Sequence, residues 1–287
     1  MTPVVYLNGA FVSESQAWVS TSDGGWLHGA GLFETMRAEN GRVFRLESHM
    51  VRLQYSAVRL LHSIERKDLP SPGDLAELLN RNELVDARIR MTVSAGPVRL
   101  EGESHEGRPT VCVTASALLP YPARLYEAGI RVAVCDFRQS ADDPIAGHKT
   151  TSYLSRLLGL RQAQAAGCME AVWFTTRNHL AEGSISNVFV VSKGGLATPP
   201  LDTPVLPGIT RSVVLELAAG LGIETREAAL SIGDLLDADE VFLTNTIMQV
   251  MPVIRIEKKD IGRGQVGPLT RRLREEYRNI VQRECDR

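Results

Sequence analysis

The chain has 287 residues, 44% hydrophobic and 23% charged, with a formal net charge of −2. That is enough apolar material for one large or two medium domains. The near-neutral balance argues against a nucleic-acid or anionic-membrane partner despite the many arginines. No apolar run approaches ~18 residues, so no membrane span is expected. Met1 to Val12 lacks the basic start and apolar core of a signal peptide, and the default is a soluble cytoplasmic protein. Cys112, Cys135, Cys168 and Cys285 show no CxxC spacing, so they read as reduced, mostly buried thiols, and no metal site is expected.

Val4 to Leu7, Asn8-Gly9 and Ala10 to Val12 read as a hairpin on a tight Asn-Gly turn. Residues 23–31 hold four glycines and read as a loop that lets backbone approach closely, followed by a strand at 32–37. Asn40-Gly41 makes a second hairpin turn. Leu46, Met50, Leu53, Ala57, Leu60 and Ile64 recur at helical spacing and mark a core face over 46–64. His49, Arg52, Ser56 and Arg59 form a stripe beside it, read as solvated for Arg59, whereas Arg52 could point across an interior cleft toward an anion. Asp74 offers an N-cap for a helix at 75–84, and strands follow at 88–94 and 109–115, separated by a Gly/Glu/Pro-rich loop at 96–109. The prolines at 120 and 122 stiffen a linker over 118–124, which separates an N-terminal domain (1–117) from a C-terminal one (125–287).

In the second half the expected elements are a strand at 130–135, a helix at 152–166 ending at Gly167, and strands at 171–175, 180–184 and 187–192. Leu206-Pro207-Gly208-Ile209-Thr210 opens another helix, whose first N–H groups suit a phosphate. Strands at 240–245 and 252–257 precede a C-terminal helix with Pro268 in its first turn, where Arg271, Arg272 and Arg274 read as a solvated face beside Glu275 and Glu276.

Only five lysines occur, and Lys67, Lys193, Lys258 and Lys259 read as solvated loop charges. Lys149 alone has small hydroxylated neighbours and an apolar run behind it. It either snorkels or serves as an imine-forming amine. Glu182 in Glu-Gly-Ser-Ile-Ser-Asn is either a surface carboxylate or the partner of a ring nitrogen. Arg52, the Gly208-Ile209-Thr210 helix start and the Asn245-Thr246 strand end could cradle a phosphate. Imine, pyridinium partner and anion cradle are together the needs of pyridoxal 5′-phosphate.

The chain resembles the class IV aminotransferases, the fold-type-IV pyridoxal-phosphate enzymes. Five blocks in order carry the resemblance: 6–37, 49–53 (His-Met-Val-Arg-Leu), 149–153 (Lys-Thr-Thr-Ser-Tyr), 182–191 and 206–211 (Leu-Pro-Gly-Ile-Thr-Arg). The resemblance implies a two-domain α/β (α+β) fold of D-amino-acid aminotransferase type, with the cofactor in the cleft between domains, in a homodimer. It implies Lys149 as the Schiff-base and proton-shuttling residue and Glu182 at the pyridine nitrogen, with Ser186 and Asn187 in the same segment. Arg52, Ile209, Thr210, Asn245 and Thr246 would bind phosphate. Tyr153 would meet the phenolic oxygen, although it stands four residues after the lysine where branched-chain enzymes use five; a core or helix-face tyrosine is the competing reading. For substrate, Phe33 would wall the side-chain pocket, Thr246 and Ile247 would hold the α-carboxylate, and Arg90 either reaches a second anion or makes surface salt bridges. Thr35 matches a threonine implicated in protonation in the lyase branch, or is ordinary strand structure. The expected activity is amino transfer between a branched-chain-like amino acid and a 2-oxo acid. The alternatives are 4-amino-4-deoxychorismate lyase, releasing pyruvate to give 4-aminobenzoate, and a catalytically silent binder. The Arg-x-His pair of the D-amino-acid branch is not matched, since Arg99 and His105 are six apart.

Overall fold

Strand periodicity with one apolar face builds the first sheet. In the computed structural model, which describes residues 2–61, 64–97 and 108–286, its strands are β1 (Val4–Leu7), β2 (Ala10–Ser13), β3 (Gly31–Glu39), β4 (Arg42–Val43), β5 (Ala87–Ser94) and β6 (Thr110–Ala117). They pair antiparallel in the order β2-β1-β6-β5-β3-β4. Leu32, Met36 and Ala38 of β3 and Ile89, Met91 and Val93 of β5 point to one side. There they bury against Met50, Leu53 and Ala57 of α2 (Leu46–Leu60) and Leu75, Leu78 and Leu79 of α3 (Pro72–Arg81), the apolar contact that drives this unit's folding. The opposite side carries Phe33 across from Thr92 and Thr35 across from Arg90.

Three local expectations shift. The 23–31 glycine stretch holds a short helix, α1 (Gly24–His28), because the Asp23 carboxylate accepts from the N–H groups of Gly25 and Trp26. α3 begins at Pro72 rather than 75: Ser71 and Asp74 form a capping box, and proline is preorganised for the first turn. α2 ends at Leu60 rather than 64. The 98–107 part of the expected loop, including Arg99 and His105, lies outside the described residues.

The second sheet contains β7 (Ile130–Val134), β8 (Glu170–Phe174), β9 (Leu180–Gly183), β10 (Asn187–Ser192), β11 (Gly195–Thr198), β12 (Thr225–Glu227), β13 (Glu240–Asn245), β14 (Gln249–Ile256) and the short β15 (Lys259–Asp260). Its order is β12-β11-β10-β13-β14-β7-β8-β9, with β15 on β14, and β7 runs parallel to both β8 and β14. β8, β9 and β10 are buried on both faces, so they read as continuous runs rather than alternating ones. Helices α4 (Ala123–Ala128), α5 (Leu154–Ala165), α6 (Ile209–Gly220), α7 (Ile232–Leu236) and α8 (Pro268–Cys285) complete the order. α5 gives way at Gly167, whose positive φ of 70° suits glycine after a helix end.

The chain divides into two compact units: Met1–Leu119 with His148–Ser152 and Val281–Arg287, and Pro120–Gly147 with Tyr153–Ile280. The short Lys149 segment therefore groups with the first unit, whereas the linker position predicts it within the 125–287 domain. Backbone bonds explain the difference: the Phe33 N–H donates to the Lys149 carbonyl at 2.9 Å, and the Thr151 N–H donates to Gly31 at 2.8 Å. Residues 149–151 thus extend the edge of β3, with Leu32 bridged to Thr150. Proximity along the chain cannot reveal such a long-range pairing.

Candidate active site

Within the first unit, pairing to β3 makes Lys149 a cross-strand neighbour of Phe33. Lys149 is half-buried, and its Nζ lies 4.4 Å from the Phe33 ring centroid. Arg90 of β5 stacks on the same ring, its Cζ 3.4 Å from the centroid, and its Nε donates to Thr92 Oγ1 at 3.2 Å. Arg90 is held over an aromatic face, while Arg88 of the same strand is exposed. Thr35, opposite Arg90, is half-buried on that side.

The helix-facing side of β3 carries an acidic residue among apolar ones. Glu34, between Leu32 and Met36, is 1% exposed. Its Oε1 accepts from Arg52 Nε at 2.8 Å, and its Oε2 accepts from Arg52 Nη2 at 2.5 Å and His49 Nδ1 at 2.8 Å. Burial pushes the Glu34 carboxyl upward, but the Arg52 guanidinium and the His49 hydrogen bond outweigh it and hold it at about 2. Burial lowers the His49 imidazole, with Arg52 and Lys149 acting in the same direction and Glu34 opposing. A neutral His49 donates through Nδ1 to the carboxylate, and its buried Nε2 has no hydrogen-bond partner among the described residues. Three members of the α2 stripe, His49, Arg52 and Ser56, are buried, and only Arg59 is exposed. Ser56 also bonds His148 Nδ1 at 2.8 Å, steadying the residue before Lys149.

Within the second unit, the turn from β9 into β10 gathers the predicted residues. Glu182 is buried; its Oε1 accepts from Arg156 Nη2 at 2.6 Å and its Oε2 from the Leu206 N–H at 3.0 Å and Asn187 Nδ2 at 3.4 Å. Asn187 Nδ2 also donates to the Leu206 carbonyl at 2.9 Å, tying this turn to the segment that opens α6. A Cβ on Gly208 would stand 2.0 Å from Asn187 Oδ1, so any larger residue would have to displace the Asn187 amide. Ile209 and Thr210 are buried at the start of α6, whose N-cap Gly208 supplies no side-chain acceptor, so its first N–H groups are available to an anion. Thr210 Oγ1 lies 3.2 Å from the Tyr277 hydroxyl.

Several residues expected at the cofactor also hold the turn. Ser186 Oγ donates to Glu170 at 3.1 Å. The Tyr153 hydroxyl donates to the Ser184 carbonyl at 3.0 Å, at the start of α5. Asn245 Nδ2 donates to Ile185 at 3.1 Å, while its Oδ1 accepts from the N–H groups of Ile247 at 3.0 Å and Met248 at 2.7 Å. The Ile247 amide thus serves the turn itself, and Thr246 is half-buried beside it. Glu170 lies beneath: it accepts from the N–H groups of Ala171, Ser184 and Ile185 as well as Ser186. Desolvation raises its carboxyl to about 7, against the lowering effect of those bonds.

A family model described as amino-transferase class IV matches residues 31–256. The chain belongs to the class IV aminotransferases. A Methanocaldococcus jannaschii protein, named provisionally as a branched-chain-amino-acid aminotransferase, is 38% identical over 96% of each chain. The aminodeoxychorismate lyase of Bacillus subtilis is 30% identical over 97% of this chain and 94% of its own. A solved branched-chain amino acid aminotransferase with pyridoxamine 5′-phosphate, its source abbreviated T.th., superposes with a TM-score of 0.88 at 29% identity, covering 98% of this chain and 94% of that one. This class IV aminotransferase is therefore an enzyme of a pyridoxal-phosphate-dependent family, of mixed α/β fold and branched-chain-aminotransferase-like sequence.

Sequence reasoning missed four residues that, each within its own unit, bond the expected site residues or their partners. Glu34 and Glu170 each interrupt an apolar strand, and a buried carboxylate demands partners; that signal could have found them. His49 stood out only as part of a stripe. Arg156 has no such signal, because its partners Glu182 and Gln139 come from distant segments.

Proposed function

We propose that this enzyme transfers the amino group between an amino acid of branched-chain type and a 2-oxo acid, with pyridoxal 5′-phosphate carried on Lys149. The supporting observation is Lys149 Nζ, set over Phe33 by strand pairing, with the buried Arg52–Glu34–His49 network on the helix side of the same strand. The donor set fits the cofactor: a primary amine, a buried guanidinium, a carboxylate fixed from two sides, and a buried helix start without a side-chain cap.

When bound, the cofactor would supply an aldehyde for amine exchange and a ring that accepts electrons from the substrate's Cα. Lys149 would hold the group through its amine and, once released by the substrate's amine, would move a proton to and from Cα. Glu182 keeps a proton at the ring nitrogen. Arg52, the N–H groups of Ile209 and Thr210, and Thr246 bind the phosphate. Tyr153 reaches the phenolic oxygen only by giving up its bond to Ser184, and Ser186, Asn187 and Asn245 act by holding the turns. Phe33 walls the substrate pocket beside Thr35, and Arg90 offers a cation for a carboxylate. Thr246 serves the α-carboxylate, with Ile247 contributing less because its amide is engaged. The working form is a homodimer, and the four free thiols accord with a cytoplasmic setting.

The test is half-reaction spectroscopy. Enzyme loaded with pyridoxal phosphate is mixed with single L- and D-amino acids, and conversion to the pyridoxamine form is followed by absorbance. Leucine, isoleucine or valine should convert it. If no amino acid does and aminodeoxychorismate instead yields pyruvate, the transfer reading is wrong.

A further inference from the structure

Arg156 has no part in the chemistry above, yet its guanidinium is engaged from several sides beside Glu182. Its Nη2 donates to Glu182 Oε1 at 2.6 Å and to Gln139 Oε1 at 2.8 Å, and its Nη1 to the Gly183 carbonyl at 3.3 Å. The guanidinium also lies over Trp173, with Cζ 4.8 Å from the ring centroid, and the Trp173 Nε1 donates to Ser184 Oγ at 2.9 Å in the same turn. A planar fork held on four sides is a fixed charge, in a way a lysine ammonium would not be.

Glu182 does not need Arg156 for its orientation. Its other oxygen is anchored by the Leu206 N–H and Asn187 Nδ2. What Arg156 adds is charge: a cation hydrogen-bonded to a carboxylate cancels part of the field that the carboxylate exerts on a third group. We infer that Arg156 is a positioning residue that attenuates how strongly Glu182 draws a proton onto the cofactor's ring nitrogen, and so sets the electron demand of the ring. This rests on the reading of Glu182 as the ring-nitrogen partner. Among the described residues, the other ionisable groups around this corner include Glu170 on β8, Tyr153 before α5, Cys135 after β7, and Asp136 and Arg138 beyond it.

The experiment uses the full-length enzyme loaded with pyridoxal phosphate labelled with 15N in the ring. The ring-nitrogen chemical shift is titrated with pH in wild type, Arg156→Met and Arg156→Lys, with thermal melts confirming that each variant is folded. Arg156→Met keeps an unbranched side chain of similar length and removes the charge; its ring nitrogen should hold the proton about tenfold more tightly, the lower end of what a neighbouring charge does. Arg156→Lys, which keeps a charge but loses the planar fork, should fall between wild type and Arg156→Met. If Arg156→Met does not fold, Arg156→Gln takes its place with the same upward shift required. A titration unmoved by loss of the charge, or moved downward, overturns the inference; a downward move would mean that Arg156 merely props Glu182. Glu182→Gln separates the two levels: if it leaves the wild-type titration unchanged, Glu182 is not the ring-nitrogen partner and both readings fall.

Discussion

Two buried carboxylates, Glu34 and Glu170, end on opposite sides of the ordinary value: Arg52 and His49 outweigh burial at Glu34, whereas burial outweighs the hydrogen bonds at Glu170. Glu34 sits at about 2, below its ordinary value of 4.5, so between those values the folded chain binds fewer protons than the unfolded one. The stability it contributes is complete above about pH 4.5 and is lost as pH falls toward 2. Replacing it (Glu34→Gln) leaves the Arg52 charge buried without its counterion, which should cost about 3–5 kcal/mol in urea unfolding at pH 7. Glu170, raised to about 7, behaves with the reverse sign: the folded chain binds its proton more tightly, so stability declines as pH rises from about 4.5 to 7. The loss should be roughly 3 kcal/mol. Unfolding of wild type and Glu170→Gln at pH 5 and pH 8 should show that decline steeper in wild type; parallel behaviour would contradict the assignment. At Lys149, substitution by alanine should abolish the imine absorption band of bound cofactor while leaving the fold intact by circular dichroism. Persistence of that band would remove Lys149 from its role.

At the scale of elements, the turn from β9 into β10 orders the expected site residues of the second unit. Residues 183–186 are held by Glu170 from below, Trp173 and Tyr153 at Ser184, Arg156 at Gly183 and Asn245 at Ile185. The α6 start is locked to it through Asn187 and Leu206. Gly208→Ala would drive a methyl into Asn187 Oδ1, forcing that amide out of its bonds to Leu206 and Glu182. We expect a loss of about 1–3 kcal/mol in stability, together with weaker cofactor binding in a fluorescence titration. A variant with wild-type melting and affinity would show that Asn187 can yield freely. Element types were largely legible from periodicity and punctuation: Asn-Gly marked the first hairpin turns, Pro207-Gly208 the start of α6, Gly167 the end of α5. The helix α1 and the start of α3 were not, since each depends on side-chain capping rather than on apolar spacing.

For the whole molecule, the first unit exposes Trp18, at 82%, and Trp26, at 77%, with Val51, Tyr55 and Val58 along one outward stripe of α2. Apolar surface of this kind on an otherwise well-packed unit fits the proposed self-association. Sedimentation should give twice the mass of one chain, and Tyr55→Glu with Val58→Glu should reduce it; a monomeric wild type would contradict the dimer.

Sequence by itself determined which residue types could do the chemistry and roughly where strands and helices run, because side-chain periodicity and backbone preferences are local. It also carried the ordered blocks that identify the family. What only the tertiary structure decided is which polar groups are turned inward and whom they meet. The α2 stripe had the spacing of a solvated face, yet His49, Arg52 and Ser56 are buried because Glu34 waits on β3 and His148 comes back beside Ser56. Arg156 meets Glu182 across 26 residues of chain, and Lys149 finds Phe33 only through a strand pairing between distant segments. A buried charge is stabilised by its partner's position in space, and spacing along a single chain does not encode that position.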